Sequence, residues 1–122
     1  MAYGKKTWLI ADGYWDSHSN GIYPSHESVC VINTSDKDAL INITLYFEDR
    51  DKMEGFEASC PSGRTHHIRM DKLKDKRSNP VPIDVPYAIL VESNTPVVVQ
   101  YSRLMTSQPE LTLATTIAYP ID

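Results

Sequence analysis

The segment A-L-I-N-I-T-L-Y-F-E, residues 39–48, shows the alternation of apolar and polar residues that is typical of a half-buried β-strand. Successive side chains of a strand point to opposite faces of a sheet. One face is apolar and the other polar: Ile41, Ile43, Leu45 and Phe47 lie opposite Asn42, Thr44 and Tyr46. The segment therefore predicts a strand that packs one face on a core and turns the other toward solvent.

Seven further runs of β-forming residues lie on either side of this strand, separated by turn-forming residues. They are residues 7–13, 26–33, 54–60, 64–71, 86–94, 96–104 and 112–119. Most are joined by short turns, such as the Asn94–Thr95–Pro96 corner, and strands joined by short turns must be antiparallel.

Two connections are longer than the others, and only these are expected to cross between sheets. One is the loop from Tyr14 to Ser25, and the other runs from Asp71 to Pro86 and reads as a surface loop with at most one helical turn. We therefore predict an all-β fold. It is a single-domain antiparallel β-sandwich over residues 1–122, jelly-roll-like, with about eight strands.

Composition limits the kind of protein. The chain has 122 residues, of which 41% are hydrophobic and 23% charged, values typical of one folded domain. Its net charge of -4 disfavours nucleic acid as a partner. No apolar run approaches the roughly 20 residues of a membrane span, and the N-terminus lacks the apolar core of a signal peptide. We expect a cytoplasmic protein in which Cys30 and Cys60 are reduced structural thiols.

Motifs for catalysis or cofactor binding are absent from the sequence. It contains no G-x-S-x-G elbow, phosphate-binding glycine loop or dinucleotide fingerprint. Adjacent strand residues such as His66 and His67 point in opposite directions and cannot grip one ion, and nothing in the spacing brings His26 and Glu27 to them. We predict no catalytic residue, no metal and no cofactor.

The strand R-T-H-H-I-R-M-D, residues 64–71, is basic on both sides. Arg64, His66, Ile68 and Met70 share one side, and Thr65, His67, Arg69 and Asp71 share the other. We expect one side to meet other subunits or the sheet edge and the other to contribute His67 and Arg69 to a polar site. Strand alternation does not say which side does which.

Polar residues also interrupt other strands whose neighbours look buried. Asp12 ends W-L-I-A-D, His26 and Glu27 open a strand, and Gln100 and Arg103 punctuate V-V-V-Q-Y-S-R-L. Because buried polar groups must be paired or solvated, this set belongs to an internal salt-bridge network, a subunit interface or a concave ligand site. Trp8 could supply a stacking surface for a ligand.

Five ordered motifs resemble the sensory rhodopsin transducer family. They are W-L-I-A-D-G-Y (8–14), S-H-E-S-V-C-V-I-N (25–33), R-T-H-H-I-R (64–69), S-N-T-P-V-V-V-Q-Y-S-R-L (93–104) and T-T-I-A-Y (115–119). The resemblance implies a β-sandwich that assembles as a homotetramer. For the founding member it implies a cytoplasmic partner of a photosensory membrane protein, and for the wider family it implies domains that bind sugars or related small molecules.

The resemblance also marks the expected site. The residues in its motifs are Trp8, Asp12, His26, Glu27, Arg64, His67, Arg69, Asn94, Gln100 and Arg103. The leading hypothesis is a non-enzymatic binding and signalling module with a polar pocket or subunit interface for a small polar ligand. Arg64 and Arg69 would face an anionic or polyhydroxylated ligand, and His67 would be an adjustable hydrogen-bonding group.

Two alternatives remain open from the sequence. The chain could be a transducer that docks a membrane photoreceptor or another protein through its basic strand, in which case binding would weaken with salt. Direct DNA binding with a regulatory output is a third hypothesis, which the net charge of -4 disfavours. The loops 14–24 and 71–82 lie outside the motifs, and loops decide ligand and partner choice on a sandwich.

Overall fold

The computed structural model describes residues 2–122, and its regular structure is almost entirely β-strand. The strands are β1 (Lys5–Tyr14), β2 (His26–Asn33), β3 (Ala39–Phe47), β4 (Met53–Cys60), β5 (Arg64–Arg69), β6 (Pro86–Met105), β7 (Thr112–Ile117) and β8 (Tyr119–Ile121). All paired strands are antiparallel, so the predicted all-β antiparallel fold is confirmed. Among residues 2–122, no helix is long and apolar enough to cross a membrane.

Strand β6 is the hub of the fold. Its first half lies in a sheet with the order β4-β3-β6-β1-β8, and its second half pairs with β2 and β7, while β5 pairs with β2. We call these the first and second sheets. They are one continuous hydrogen-bonded surface that folds over at β6, so their inner faces meet.

The predicted corner at Asn94–Thr95–Pro96 is wrong, because β6 runs through it as one strand of 20 residues. The sequence suggested a break because Pro96 cannot donate a ladder hydrogen bond. In the structure Pro96 lies within a register shift, between the pairs Lys5–Val97 and Thr7–Glu92. The strand changes sheets at this point without ending.

The hydrophobic core lies between the two sheets. In β3, Ile41, Ile43 and Leu45 are buried and Asn42 and Tyr46 are exposed, as the alternation predicted. Thr44, which was expected to face solvent with them, is instead buried (8% exposed). The same alternation buries one face of each neighbouring strand. The core includes Val29, Val31, Phe56, Ile68, Ile89, Val91, Val97 and Val99.

Two strand ends differ from the prediction. The strand 64–71 ends at Arg69, and a single 3₁₀ turn (Met70–Lys72) then brings the Met70 side chain fully into the core. The run 112–119 divides into β7 and β8 at Ala118, whose N–H donates to the Val99 carbonyl (3.0 Å). Met70 and Ala118, the apolar residues at these two strand ends, are both buried.

The prediction that only the two long connections cross between the sheets is wrong, because two short connections also cross. Residues 34–38 link β2 in the second sheet to β3 in the first, and residues 61–63 link β4 back to β5. The buried Asn33 side chain stabilises this tight passage by donating to the carbonyls of Lys37 (2.7 Å) and Cys60 (2.9 Å).

Candidate functional site

Strand β2 separates its polar side chains between the two faces of the second sheet. Glu27 shares the inner face with Val29 and Val31 and is only 1% exposed. His26, one residue earlier, lies on the outer face and is partly exposed. The two residues that open this strand therefore belong to different sites.

The Glu27 carboxylate lies at the centre of a buried cluster. Tyr87 and Tyr101 donate their hydroxyls to its two oxygens, Oε1 and Oε2 respectively. The Tyr14 backbone N–H also donates to Oε2 (2.7 Å). These groups come from β1, from β2 and from both halves of β6, so one carboxylate ties together the end of the fold where the sheets meet.

Arg103 extends this cluster toward the surface. Its Nε donates to the Tyr101 hydroxyl (2.9 Å) and lies 3.9 Å from Glu27 Oε2. Its Nη2 donates to the Asp12 carbonyl (2.9 Å) and to Asp12 Oδ1 (3.2 Å). The cluster is an internal ion-pair network, the first of the three arrangements that the sequence left open for these residues.

Burial controls the protonation of the cluster. It raises the pKa of Glu27 above its ordinary value of 4.5, although the hydrogen bonds from Tyr101, Tyr87 and Tyr14 and the charge of Arg103 act in the opposite direction. Burial and the Glu27 charge also raise the pKa of both tyrosine hydroxyls, so these groups stay donors. The cluster is therefore a buried carboxyl group with a raised pKa, held by hydroxyl groups that remain donors.

A groove opens beside the cluster, between β1 and β7, with a volume of about 380 Å³. This lies near the lower end of the range for ligand sites, roughly 300–1,000 Å³. Tyr101, Arg103 and Asp12 supply its polar lining, and Leu9, Ile117 and Tyr119 supply apolar walls. We call it the β1–β7 groove.

Four of the predicted site residues lie on the outer face of the second sheet. Two of them, His67 and Gln100, belong to a row of paired residues that crosses β5, β2, β6 and β7. The row is His67, Cys30, Gln100 and Ile117. His67 and Gln100 are exposed, and no hydrogen bond to either side chain is found within residues 2–122. His26 and Arg69 lie on the same face, and Arg69 makes a two-point ion pair with Asp71 (2.8 Å for each contact).

The other predicted residues lie elsewhere. Trp8 is buried in the core, and its ring N–H donates to the carbonyls of Lys5 (2.9 Å) and Val97 (3.1 Å). Exposed Asn94 accepts from the Leu40 N–H (2.7 Å), which ties β6 to the start of β3. Arg64 is exposed at the start of β5. The ten residues therefore do not line one pocket: Asp12, Glu27 and Arg103 gather on one side of the second sheet and four others gather on the opposite side.

Sequence reasoning missed two members of the buried cluster, Tyr87 and Tyr101. Tyr101 points to the same face of β6 as the buried residues Val97 and Val99. Tyr87 likewise points to the same face as Ile89 and Val91. A buried tyrosine hydroxyl needs a hydrogen-bond partner. A tyrosine at a buried strand position therefore indicated that a hydrogen-bonding group such as a carboxylate lies nearby.

Potential metal ligands come together at a different place from the histidines considered in the sequence. One ligand atom from each of Asp16, His18 and Asp84 lies within 4.8 Å of the others, and all three residues are on loops. His66 instead contacts the Ser59 carbonyl (2.6 Å) and His26 the Pro24 carbonyl (2.9 Å), each through Nδ1.

Comparison with solved structures extends this description. The chain is similar to the protein described as "Crystal Structure of Thermotoga maritima 1070", with 40% identity, coverage of 97% of this chain and 96% of that one, and a TM-score of 0.86. It is also similar to the "Anabaena sensory rhodopsin transducer", with 38% identity, coverage of 85% and 99%, and a TM-score of 0.76.

No curated protein matches the chain. The family model described as Anabaena sensory rhodopsin transducer matches residues 3–120, nearly the whole chain. With this match and the two structural neighbours, the resemblance seen in the five motifs is confirmed, and the chain belongs to the Anabaena sensory rhodopsin transducer family.

Proposed function

We propose that this protein is a non-enzymatic, cytoplasmic signal transducer that docks a sensory rhodopsin or a membrane receptor of that kind. Family membership and 38% identity to a protein named as a sensory rhodopsin transducer support this function. The proposal gives the chain the role of an adaptor whose binding surface, and not a catalytic centre, carries its activity.

The observation that carries the proposal is the exposure of β7. All six residues of this strand are exposed, with Leu113 at 71% and Ile117 at 58%. Residues 111–119 contain no charged side chain, although charge is the common protection of an exposed strand edge. A continuous uncharged surface of this kind is typical of a protein-binding site.

Binding to a receptor in a lipid nanodisc tests the proposal. We expect the wild-type chain to bind Anabaena sensory rhodopsin, the receptor named for the relative, in biolayer interferometry. Leu113→Asp should weaken binding about tenfold or more, because the interface loses a buried leucine and gains an unpaired charge. Leu40→Asp is the matched control, since Leu40 is 60% exposed and lies on β3 in the first sheet, away from β7. No binding by the folded wild-type chain, or equal losses in both variants, would contradict the proposal.

A small polar ligand on the outer face of the second sheet is the second candidate function. His26, His67, Arg69 and Gln100 support it, because donors of two kinds lie on one face with their polar ends accessible. The face is open, so a second subunit would have to close the site. The homotetramer that the family resemblance implies would provide one, and it is part of this candidate.

Thermal-shift measurements with sugars, sugar acids, nucleotides and small carboxylates test this second candidate. A ligand at roughly 100 times its dissociation constant should add about 2.7 kcal/mol to the free energy of unfolding. The shift should disappear in Arg69→Ala, and light scattering should give the mass of four chains. No shift with any compound, or a monomeric mass, would contradict it.

A further inference from the structure

The β1–β7 groove is lined by strand edges and not only by side chains. Its lining includes four consecutive residues of β1, Leu9 to Asp12, and five consecutive residues from Ala114 to Ala118. Side chains alternate between faces along a strand. Consecutive residues can therefore all line one groove only where the groove runs along the backbone edge itself.

Both edges have unused pairing capacity. On the groove side, β8 pairs with β1 only from Thr7 to Leu9 in the described structure, so β1 has no strand partner there beyond Leu9. Strand β7 pairs with β6 on one edge, and its other edge has no partner within residues 2–122. The chain crosses from β7 to β8 at Ala118, which closes one end of the groove. The groove is thus an open-ended gap in a hydrogen-bonded surface.

The floor of the groove carries one guanidinium, Arg103, which is ion-paired with the Asp12 carboxylate of the same lining (3.2 Å) and keeps one nitrogen free. Arg103 uses Nε for Tyr101 and Nη2 for Asp12, and no hydrogen bond from Nη1 is found within the described residues. Since no buried side-chain nitrogen or oxygen in residues 2–122 lacks a partner, Nη1 must be open to solvent. The two N–H groups of Nη1 point in different directions, so one of them can donate a single charge-assisted hydrogen bond to a carboxylate oxygen.

We propose that the β1–β7 groove receives an extended peptide segment of the docked partner, which adds as a strand along the free edges and places a carboxylate against Arg103. Main-chain hydrogen bonds to β1 and β7 give this mode its affinity, and side-chain contacts give its specificity. Leu9, Ile117 and Tyr119 supply apolar contacts for alternate side chains of the segment. A free sugar has no apolar side chains to pack against these walls and no backbone to pair along the strand edges. The inference rests on the proposed transducer function and names the chemistry of the partner.

Selection from a display library of random eight-residue segments tests the inference. Selected segments are synthesised with each acidic residue intact or changed to its amide, and their affinity is measured by fluorescence polarisation. We expect acidic segments that bind about tenfold more weakly in the amide form, since hydrogen bonds to charged groups are the stronger ones. Backbone amides in residues 10–13 and 112–117 should gain protection from hydrogen exchange when the segment binds.

Two variants locate the binding. Ala114→Trp fills the groove beside Arg103 and keeps every side chain of the buried cluster, and it should abolish peptide binding. Leu40→Trp adds the same ring to an exposed position of β3 and should leave peptide binding unchanged. Arg103→Lys keeps the charge but loses the Nη1 donor, and it should weaken acidic segments more than their amide forms.

The outcomes separate this inference from the proposed function. Failure to select any segment, or selected segments that bind Ala114→Trp as tightly as wild type, would overturn the peptide groove. If Leu113→Asp still weakened receptor binding in that case, the transducer function would stand and the receptor would dock without a strand. Selection of groove-binding acidic segments together with no receptor binding would support the groove and refute the choice of receptor.

Discussion

The polar side chains on the inner and outer faces of the second sheet differ in burial and in hydrogen bonding. On the inner face, Glu27 has four protein partners and almost no exposure. On the outer face, His67 and Gln100 are exposed on the two strands that flank β2 and make no side-chain hydrogen bond within residues 2–122. The difference shows that unusual polar residues in a strand indicate function only when their face is known. Inner residues hold the fold together, and outer ones are available to a partner.

The largest effect should come from removing the inner carboxylate. Glu27→Ala leaves Tyr87, Tyr101 and Arg103 without their common partner in a buried place, so we expect a loss of about 3–5 kcal/mol in the free energy of unfolding. Urea denaturation followed by circular dichroism measures it. Glu27→Gln keeps the shape and one acceptor and should lose less than Glu27→Ala. A loss under about 1 kcal/mol for the alanine variant would show that the cluster does not hold the sheets together.

A smaller effect should appear as a pH dependence of stability. The folded pKa of Glu27 is raised by burial, so the folded protein holds this proton more tightly than the unfolded chain does. The stability contributed by the group is then complete below the ordinary value of 4.5 and is lost as pH rises through the raised pKa. Wild type should therefore lose stability relative to Glu27→Gln as pH increases.

The pH dependence is measured as the difference between the two unfolding free energies across a pH series. Taking the difference removes the opposite contribution of other carboxyls such as Asp75 and Asp84, whose pKa is lowered by hydrogen bonds. A difference that stays constant with pH would mean that Glu27 ionises in the folded protein as it does in the unfolded chain.

The smallest effect should come from the outer face. His67→Ala removes an exposed side chain with no hydrogen bond, so the free energy of unfolding should change by no more than about 0.5 kcal/mol. The same denaturation assay measures it, and Gln100→Ala serves as a second example on β6, on the other side of β2. A loss similar to that of Glu27→Ala would show that the outer face is part of the folded core and would remove the contrast between the faces.

Much of the fold was predictable because alternation is a local property. The strand 39–47 and the antiparallel pairing follow from side-chain period and turn length alone. The same period could have separated Glu27 from His26, because adjacent strand residues point to opposite faces. Applied to His66 and His67, the rule excluded a shared metal ion, and applied to β2 it would have placed Glu27 with the buried Val29 and Val31.

The remaining features depend on contacts between distant residues, which the local pattern does not contain. Tyr87 and Tyr101 bond one carboxylate although they would lie roughly 45 Å apart along a straight strand. Only the fold-over of β6 brings them together. The β1–β7 groove is made of backbone edges, and no residue type marks a missing strand partner. Sequence therefore predicted the strands well and the grouping of the site residues poorly.

The central place of β6 has a consequence for synthesis of the chain on the ribosome. Strand β1 pairs with β6 as far as Val97 and with β8, and the Glu27 cluster needs Tyr87 and Tyr101, so the first of these contacts must wait for residue 86 and the last for residue 121 to leave the exit tunnel. During most of translation β1 is an apolar strand without a partner, a state that favours aggregation. Strand β1 is therefore the first of the described strands to be synthesised and is among the last to be paired.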